Sequence, residues 1–154
     1  MVKIRKMRRG EADSLGVVMY SAIHEGARLY TVAQRTAWLP TPNSGAAWAK
    51  RLEAQTVWVA LSDTSPVGFI TLAKGGYIDF AYVHGRAQGQ GVFSTLLAAL
   101  QDEARASALP RLWTHASLMA EPAFAAHGFH VTERETVTRA DQMLARAKMK
   151  KVLT

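Results

Sequence analysis

AYVHGRAQGQGVFS, residues 81–94, is the stretch on which the fold turns. An apolar run closing at Val83 gives way to a loop carrying Gly85, Gly89 and Gly91, and a helical pattern begins near Val92. A helix start leaves backbone N–H groups unpaired, and the aligned peptide dipoles add partial positive charge there. Placed behind glycines, such donors form an anion cradle; the bland alternative is a plain strand-to-helix turn. Two familiar phosphate loops do not fit. A Walker A loop needs Lys then Ser or Thr after its last glycine, where this chain has Val92-Phe93, and the dinucleotide fingerprint G-x-G-x-x-G would put its third glycine at Ser94.

Working outward, Thr56–Leu61 (TVWVAL) and Val67–Leu72 (VGFITL) are apolar runs separated by the turn cluster SDTSP, a hairpin of strands buried on both faces. Tyr77–Val83 (YIDFAYV) reads as a third central strand. Phe93, Leu96, Leu97, Leu100 and Ala104 mark an amphipathic helix ending near Leu109-Pro110. Arg111–Leu118 then reads as a strand and Glu121–His127 as a short helix stopped at Gly128. Val131–Thr138 and Met143–Met149 pair through RADQ as a hairpin, with Met143, Ala145, Ala147 and Met149 on one face. Toward the N-terminus, Val2–Met7 is a short strand, and Leu15, Val18, Met19, Ala22 and Ile23 give a helix from Glu11. Thr31–Trp38 is a second helix, and Ser44 caps a third containing Trp48 and Leu52. The order predicts an α/β (α+β) fold, one mixed sheet flanked by about four helices, in a single domain spanning 1–154.

Bulk properties narrow the class. The chain has 154 residues, 49% apolar and 20% charged, as in an ordinary globular protein. No apolar run approaches the roughly 18–20 residues of a bilayer span, and no signal-peptide pattern follows the basic start, so no membrane association and a cytoplasmic location are expected. Cysteine is absent, which excludes disulfides, thiolate metal sites and a cysteine nucleophile. The five histidines lack a paired zinc-ligand spacing, so no metal is expected. The net charge of +7 gathers at Lys3, Arg5, Lys6, Arg8 and Arg9 and at Arg146, Lys148, Lys150 and Lys151. Without a nucleic-acid motif these read as solvated faces, a nucleic-acid partner being the rival reading.

Arg86-Ala87-Gln88-Gly89-Gln90-Gly91 resembles the (Gln/Arg)-x-x-Gly-x-(Gly/Ala) signature of the GNAT N-acetyltransferases, and Ser117–Phe129 (SLMAEPAFAAHGF) has the spacing of their second cofactor segment, which ends in Gly-Phe, here Gly128-Phe129. YTVAQRTAW, VWVAL, PVGFI and YIDFAYV are similar to the small bacterial YafP-type members. The resemblance implies a mostly antiparallel sheet of six to seven strands, splayed between the fourth and fifth. It also implies direct acetyl transfer from acetyl-CoA to the primary amine of a small molecule. By that likeness the backbone of Ala87, Gln88, Gly89, Gln90, Gly91, Val92 and Phe93, with Arg86 and the Ser94 hydroxyl, holds the pyrophosphate. Ala81, Tyr82 and Val83 line the pantetheine arm, and the Val83 N–H serves as oxyanion donor.

Asp79, the acid within the strand, is either the catalytic base or a structural carboxylate facing a helix terminus or a buried donor, with His24, Glu25 and His115 as second-choice bases. The family's acidic Tyr falls at Phe124, which has no proton to give and is expected to pack on the pantetheine arm; its frequent Asn falls at Ser117. Either the acid comes from elsewhere, with Tyr20, Tyr82 and Ser117 as candidates, or the thiolate leaves unassisted. Tyr30, Gln34 and Trp38, at i, i+4, i+8, are either an ordinary aromatic core stripe or the wall of an acceptor pocket. The C-terminal hairpin is a candidate homodimer contact. A non-catalytic acyl-CoA sensor is the alternative function.

Overall fold

The computed structural model describes residues 2–153. Strand β1 (Lys3–Lys6) leads to three helices, α1 (Ala12–Gly26), α2 (Val32–Trp38) and α3 (Gly45–Glu53). The hairpin β2 (Thr56–Ser62) and β3 (Ser65–Leu72) follows, then β4 (Tyr77–Ile78) and β5 (Ala81–Val83). Helix α4 (Val92–Ala106), β6 (Arg111–Ser117), α5 (Glu121–Ala126), β7 (His130–Arg139) and β8 (Gln142–Val152) complete the order. None of the described helices is long and apolar enough to cross a membrane.

The strands form two four-stranded sheets, ordered β1-β2-β3-β5 and β4-β6-β8-β7. All the pairings are antiparallel except β4 with β6. Alternation along β2 explains its unbroken apolar run. Val57, Val59 and Leu61 meet Leu15, Val18, Met19 and Ile23 of α1, while Trp58 and Ala60 meet Leu96, Leu97 and Leu100 of α4. The first sheet is therefore packed on both faces. The α4 core continues across Leu112, Ala116, Phe124, Phe129, Ala147 and Met149, which fastens the second sheet to the first.

Two expectations need correction. The strand read as continuous over Tyr77–Val83 is interrupted at Asp79-Phe80: its first part belongs to one sheet and its last to the other. Counted once, it restores the expected seven strands, but the sheet is two half-sheets joined through it. Two buried threonines impose the break. Thr114 Oγ1 donates to the Ile78 carbonyl at 2.9 Å, and Thr71 Oγ1 accepts from the Phe80 N–H at 3.0 Å. The hairpin face also differs. Ala147 and Met149 are buried, but Met143 is 62% exposed, and Leu144 turns inward onto Ala27 and Tyr30. The Ala140-Asp141 turn has two positive φ angles, so the hairpin tip projects past the main core and packs on its own small cluster.

Candidate active site

The interrupted strand sets the site. β4 runs parallel to β6, with Tyr77 opposite Trp113 and Ile78 opposite Thr114. Past Phe80 the chain leaves β6 and joins β3, with Ala81, Tyr82 and Val83 opposite Ile70, Phe69 and Gly68. The N–H groups of His84 and Thr71 donate across this pair, to Val67 O at 2.8 Å and Phe80 O at 2.9 Å. Antiparallel partners alternate between bonded and unbonded positions, so Phe80, Tyr82 and His84 face β3, while the main-chain groups of Ala81 and Val83 face the gap. The Val83 carbonyl accepts a hydrogen bond from Gln88 Nε2 at 3.0 Å. A strand edge with main-chain donors turned away from β3 thus borders an opening that Ser117 also lines.

The glycine loop lies beside that edge. Gly89 and Gly91 have φ of +75° and +80°, the left-handed region that favours glycine, and a Cβ on either would meet nothing within 4 Å. Gly91 is the N-cap of α4 and offers no capping side chain, so the first N–H groups of a 15-residue helix remain free. The loop's other end is anchored to α1. Gly85 N–H donates to Ser21 Oγ at 3.0 Å and Arg86 N–H to His84 Nδ1 at 3.2 Å. Burial, and then the nearby Arg86, push the His84 imidazole below its ordinary pKa, which keeps that nitrogen an acceptor at neutral pH.

Two cavities meet at the opening. One, of about 440 Å³, runs between Val83, the loop and the start of α4 on one side and Met119, Ala123 and His127 on the other. It takes in Ala87, Gln88, Gly89, Gly91, Val92, Phe93, Ser94 and Ser117 of the expected cofactor set. Gln90 and Arg86 stay on the loop's outer side; Gln90 Nε2 donates to Arg86 O at 3.3 Å, and Arg86 Nη1 lies 3.5 Å from His84 Nε2. The second cavity, of about 360 Å³, is bordered by Arg51, Tyr77, Asp79, His115, Arg139 and Arg146. Trp38, Ala81, Tyr82, Ser117 and Ala120 border both.

Several expected residues do other work. Asp79 borders the second cavity, but its carboxylate is engaged: Arg51 donates to Oδ1 at 3.0 Å and Oδ2 at 3.2 Å, and Gln55 Nε2 to Oδ2 at 2.8 Å. Tyr30 precedes α2, outside it, and is 4% exposed; its hydroxyl donates to Ala145 O at 2.6 Å and accepts from Leu118 N–H at 2.8 Å. Gln34 closes a capping box with Thr31 and donates to Met143 O. Of that trio only Trp38 reaches the cavities. Phe124 is 1% exposed and packs edge-on against Phe93 and Phe129, in the core rather than along the cofactor-side cavity. His24 bonds the Leu39 carbonyl, and Tyr20 stacks on His24. Burial drives the Tyr82 hydroxyl well above the ordinary phenol range, so it keeps its proton. Sequence reasoning passed over Tyr77, Arg51, Arg139 and Arg146 as site residues; Tyr77, two residues before Asp79 in YIDF, falls on the same face of an extended strand.

The fold as a whole is matched in known proteins. Residues 25–153 match the acetyltransferase (GNAT) domain. The chain belongs to the GNAT family. Among its relatives, the uncharacterized N-acetyltransferase YafP of Escherichia coli is 30% identical over 137 residues, 88% of this chain and 86% of that one. A GCN5-related N-acetyltransferase structure from Rhodopseudomonas palustris superposes with a TM-score of 0.90 at 31% identity, covering 98% of this chain and 95% of that one. More distant GNAT folds include the PaiA N-acetyltransferase of Thermoplasma acidophilum in complex with coenzyme A, at TM-score 0.75, 16% identity and 99% of each chain. YncA of Salmonella typhimurium, solved with acetyl-CoA, has TM-score 0.69 at 19% identity and covers 100% and 95%.

Proposed function

We propose that this GNAT protein is an acetyl-CoA-dependent N-acetyltransferase acting on the primary amine of a small molecule by direct attack in a ternary complex. The observation that carries this is the meeting of two cavities at the Ala81–Val83 edge, whose main-chain donors face neither sheet. The residues present fit acetyl-CoA: the open side of Gly89 and Gly91 and the uncapped start of α4 suit a diphosphate, and the Val83 edge suits an amide-bearing arm. Bound there, the thioester supplies an activated acetyl group.

The Val83 N–H then faces the acetyl oxygen and stabilises charge developing on it. Trp38 and Tyr82, bordering both cavities, exclude water from the junction. The acceptor enters the second cavity, whose size suits a small molecule rather than a folded partner. Phe124 offers no proton to the departing sulfur, but a thiol of pKa about 8.5 is a fair leaving group at neutral pH. Tyr82, still protonated, and Ser117 are the hydroxyls that border both cavities.

Acetyl-CoA at 100 times its Kd should stabilise the fold by about 2.7 kcal/mol, read as a rise in melting temperature. Gly89→Ala and Gly91→Ala should each weaken that shift, since a methyl group enters the empty side of the loop and the positive φ becomes strained. No shift with saturating acetyl-CoA would end the proposal. Binding with no thiol release against a broad panel of amines would favour a sensor, the reading that the missing hydroxyl at Phe124 supports.

A further inference from the structure

A polar chain runs outward from the second cavity, which Tyr77, His115 and Arg146 border. Tyr77 Oη lies 3.0 Å from His115 Nδ1; His115 Nε2 lies 3.5 Å from Glu135 Oε1; Arg146 Nε donates to the same oxygen at 2.6 Å. We infer that Tyr77, His115 and Glu135 form a proton relay that deprotonates the acceptor amine. This rests on the acetyltransferase reading above.

Position comes first. Continuing the β4–β6 register by one residue sets His115 level with Asp79. Ser117, two residues on, borders both cavities and lies about 6–7 Å further along the strand. His115 and Ser117 alternate with the buried Thr114 and Ala116, so they share one face of β6, and both border the second cavity. Asp79, at the same level, has three N–H donors on its two oxygens, whereas the Tyr77–His115 pair ends in a hydroxyl with lone pairs to spare.

Tautomer comes next. Arg146 holds Glu135 below the ordinary carboxylate range, so it is ionised at neutral pH and only accepts. Its negative charge, 3.5 Å from Nε2, favours the imidazole proton there and leaves Nδ1 to accept from Tyr77. The groups facing His115 are Tyr77 and Asp79 from the interrupted strand, Glu135 from β7, and Arg146 and Lys148 from β8. Burial, and then Arg146, lower the His115 pKa, so the ring is neutral and ready to receive a proton.

The balance closes. An ammonium of pKa about 10.4 gives one proton to Tyr77 Oη while the tyrosine passes its own to His115 Nδ1, and the imidazolium is held against Glu135. The freed nitrogen lone pair forms the N–C bond to the acetyl carbon. The C–S bond breaks with its electrons going to sulfur, which takes up the second nitrogen proton as the free thiol. His115 and Glu135 side chains are 25% and 30% exposed, so the relayed proton leaves to solvent.

The test uses the full chain, with tyramine, spermidine and lysine as acceptor probes. Tyr77→Phe and His115→Asn should lower kcat/KM by roughly 10² at pH 7. They should keep the acetyl-CoA thermal shift and regain rate toward pH 10, where the amine deprotonates unaided. Long-range nitrogen NMR of His115 should show the Nε2–H tautomer. Rates within threefold of wild type, a loss that does not recover at high pH, or an Nδ1–H ring would each overturn the relay. If the wild-type chain turns over no probe, the acetyltransferase reading falls with it. Wild-type turnover with an indifferent His115→Asn sinks the relay alone.

Discussion

Val83→Pro is expected to lower kcat by about 10²–10³ while leaving the fold in place. The effect is large because one backbone N–H is lost where charge develops. It is specific because that N–H has no part in the sheet: Tyr82 lies opposite Phe69 in the bonded position, and the flanking bonds are made by His84 and Phe80. Proline is tolerated in a strand where its missing donor faces away from the ladder. It also restrains the preceding residue to extended backbone, which Tyr82 already adopts within β5. Val83→Ala keeps the donor and should keep kcat within a few-fold. Steady-state rates and a melting curve for both variants check the argument. A proline variant with wild-type kcat would remove Val83 from the oxyanion role.

The elements that carry the fold were readable because their patterns answer to local physics. β2 and β3 are apolar on both faces since helices cover both, and the glycine loop announces the start of α4 through residues that few other settings require. The interruption at Asp79-Phe80 was not readable. YIDFAYV alternates smoothly through it, and the partners that take its hydrogen bonds, Thr71 and Thr114, lie on other strands. The same distance hid the relay: Tyr77 and His115 meet only because a parallel pairing brings β4 beside β6. One error was avoidable. Thr31-Val32-Ala33-Gln34 is a capping box in plain sequence, and it sets Tyr30 before the helix, which dissolves the i, i+4, i+8 stripe. With the stripe gone, Trp38 is left to border the second cavity beside the polar residues of β4, β6 and β8.

Phe124→Ala is expected to cost about 3–5 kcal/mol, a large share of the about 5–15 kcal/mol that holds a domain of this kind together. The ring is 1% exposed, with Phe93 and Phe129 each 5.0 Å away centroid to centroid and edge-on. It belongs to the one cluster that spans α4, α5 and both sheets, so no neighbour can fall into the space it leaves. At about 2–4 °C per kcal/mol for a chain of this length, the melting temperature should drop by on the order of 10 °C. The same ring borders the second cavity, so its loss also widens the acceptor side and should raise KM for the amine more than for acetyl-CoA. Denaturant midpoints with an unchanged slope would show that the loss is one of packing. A variant within 1 kcal/mol of wild type would place Phe124 outside the core.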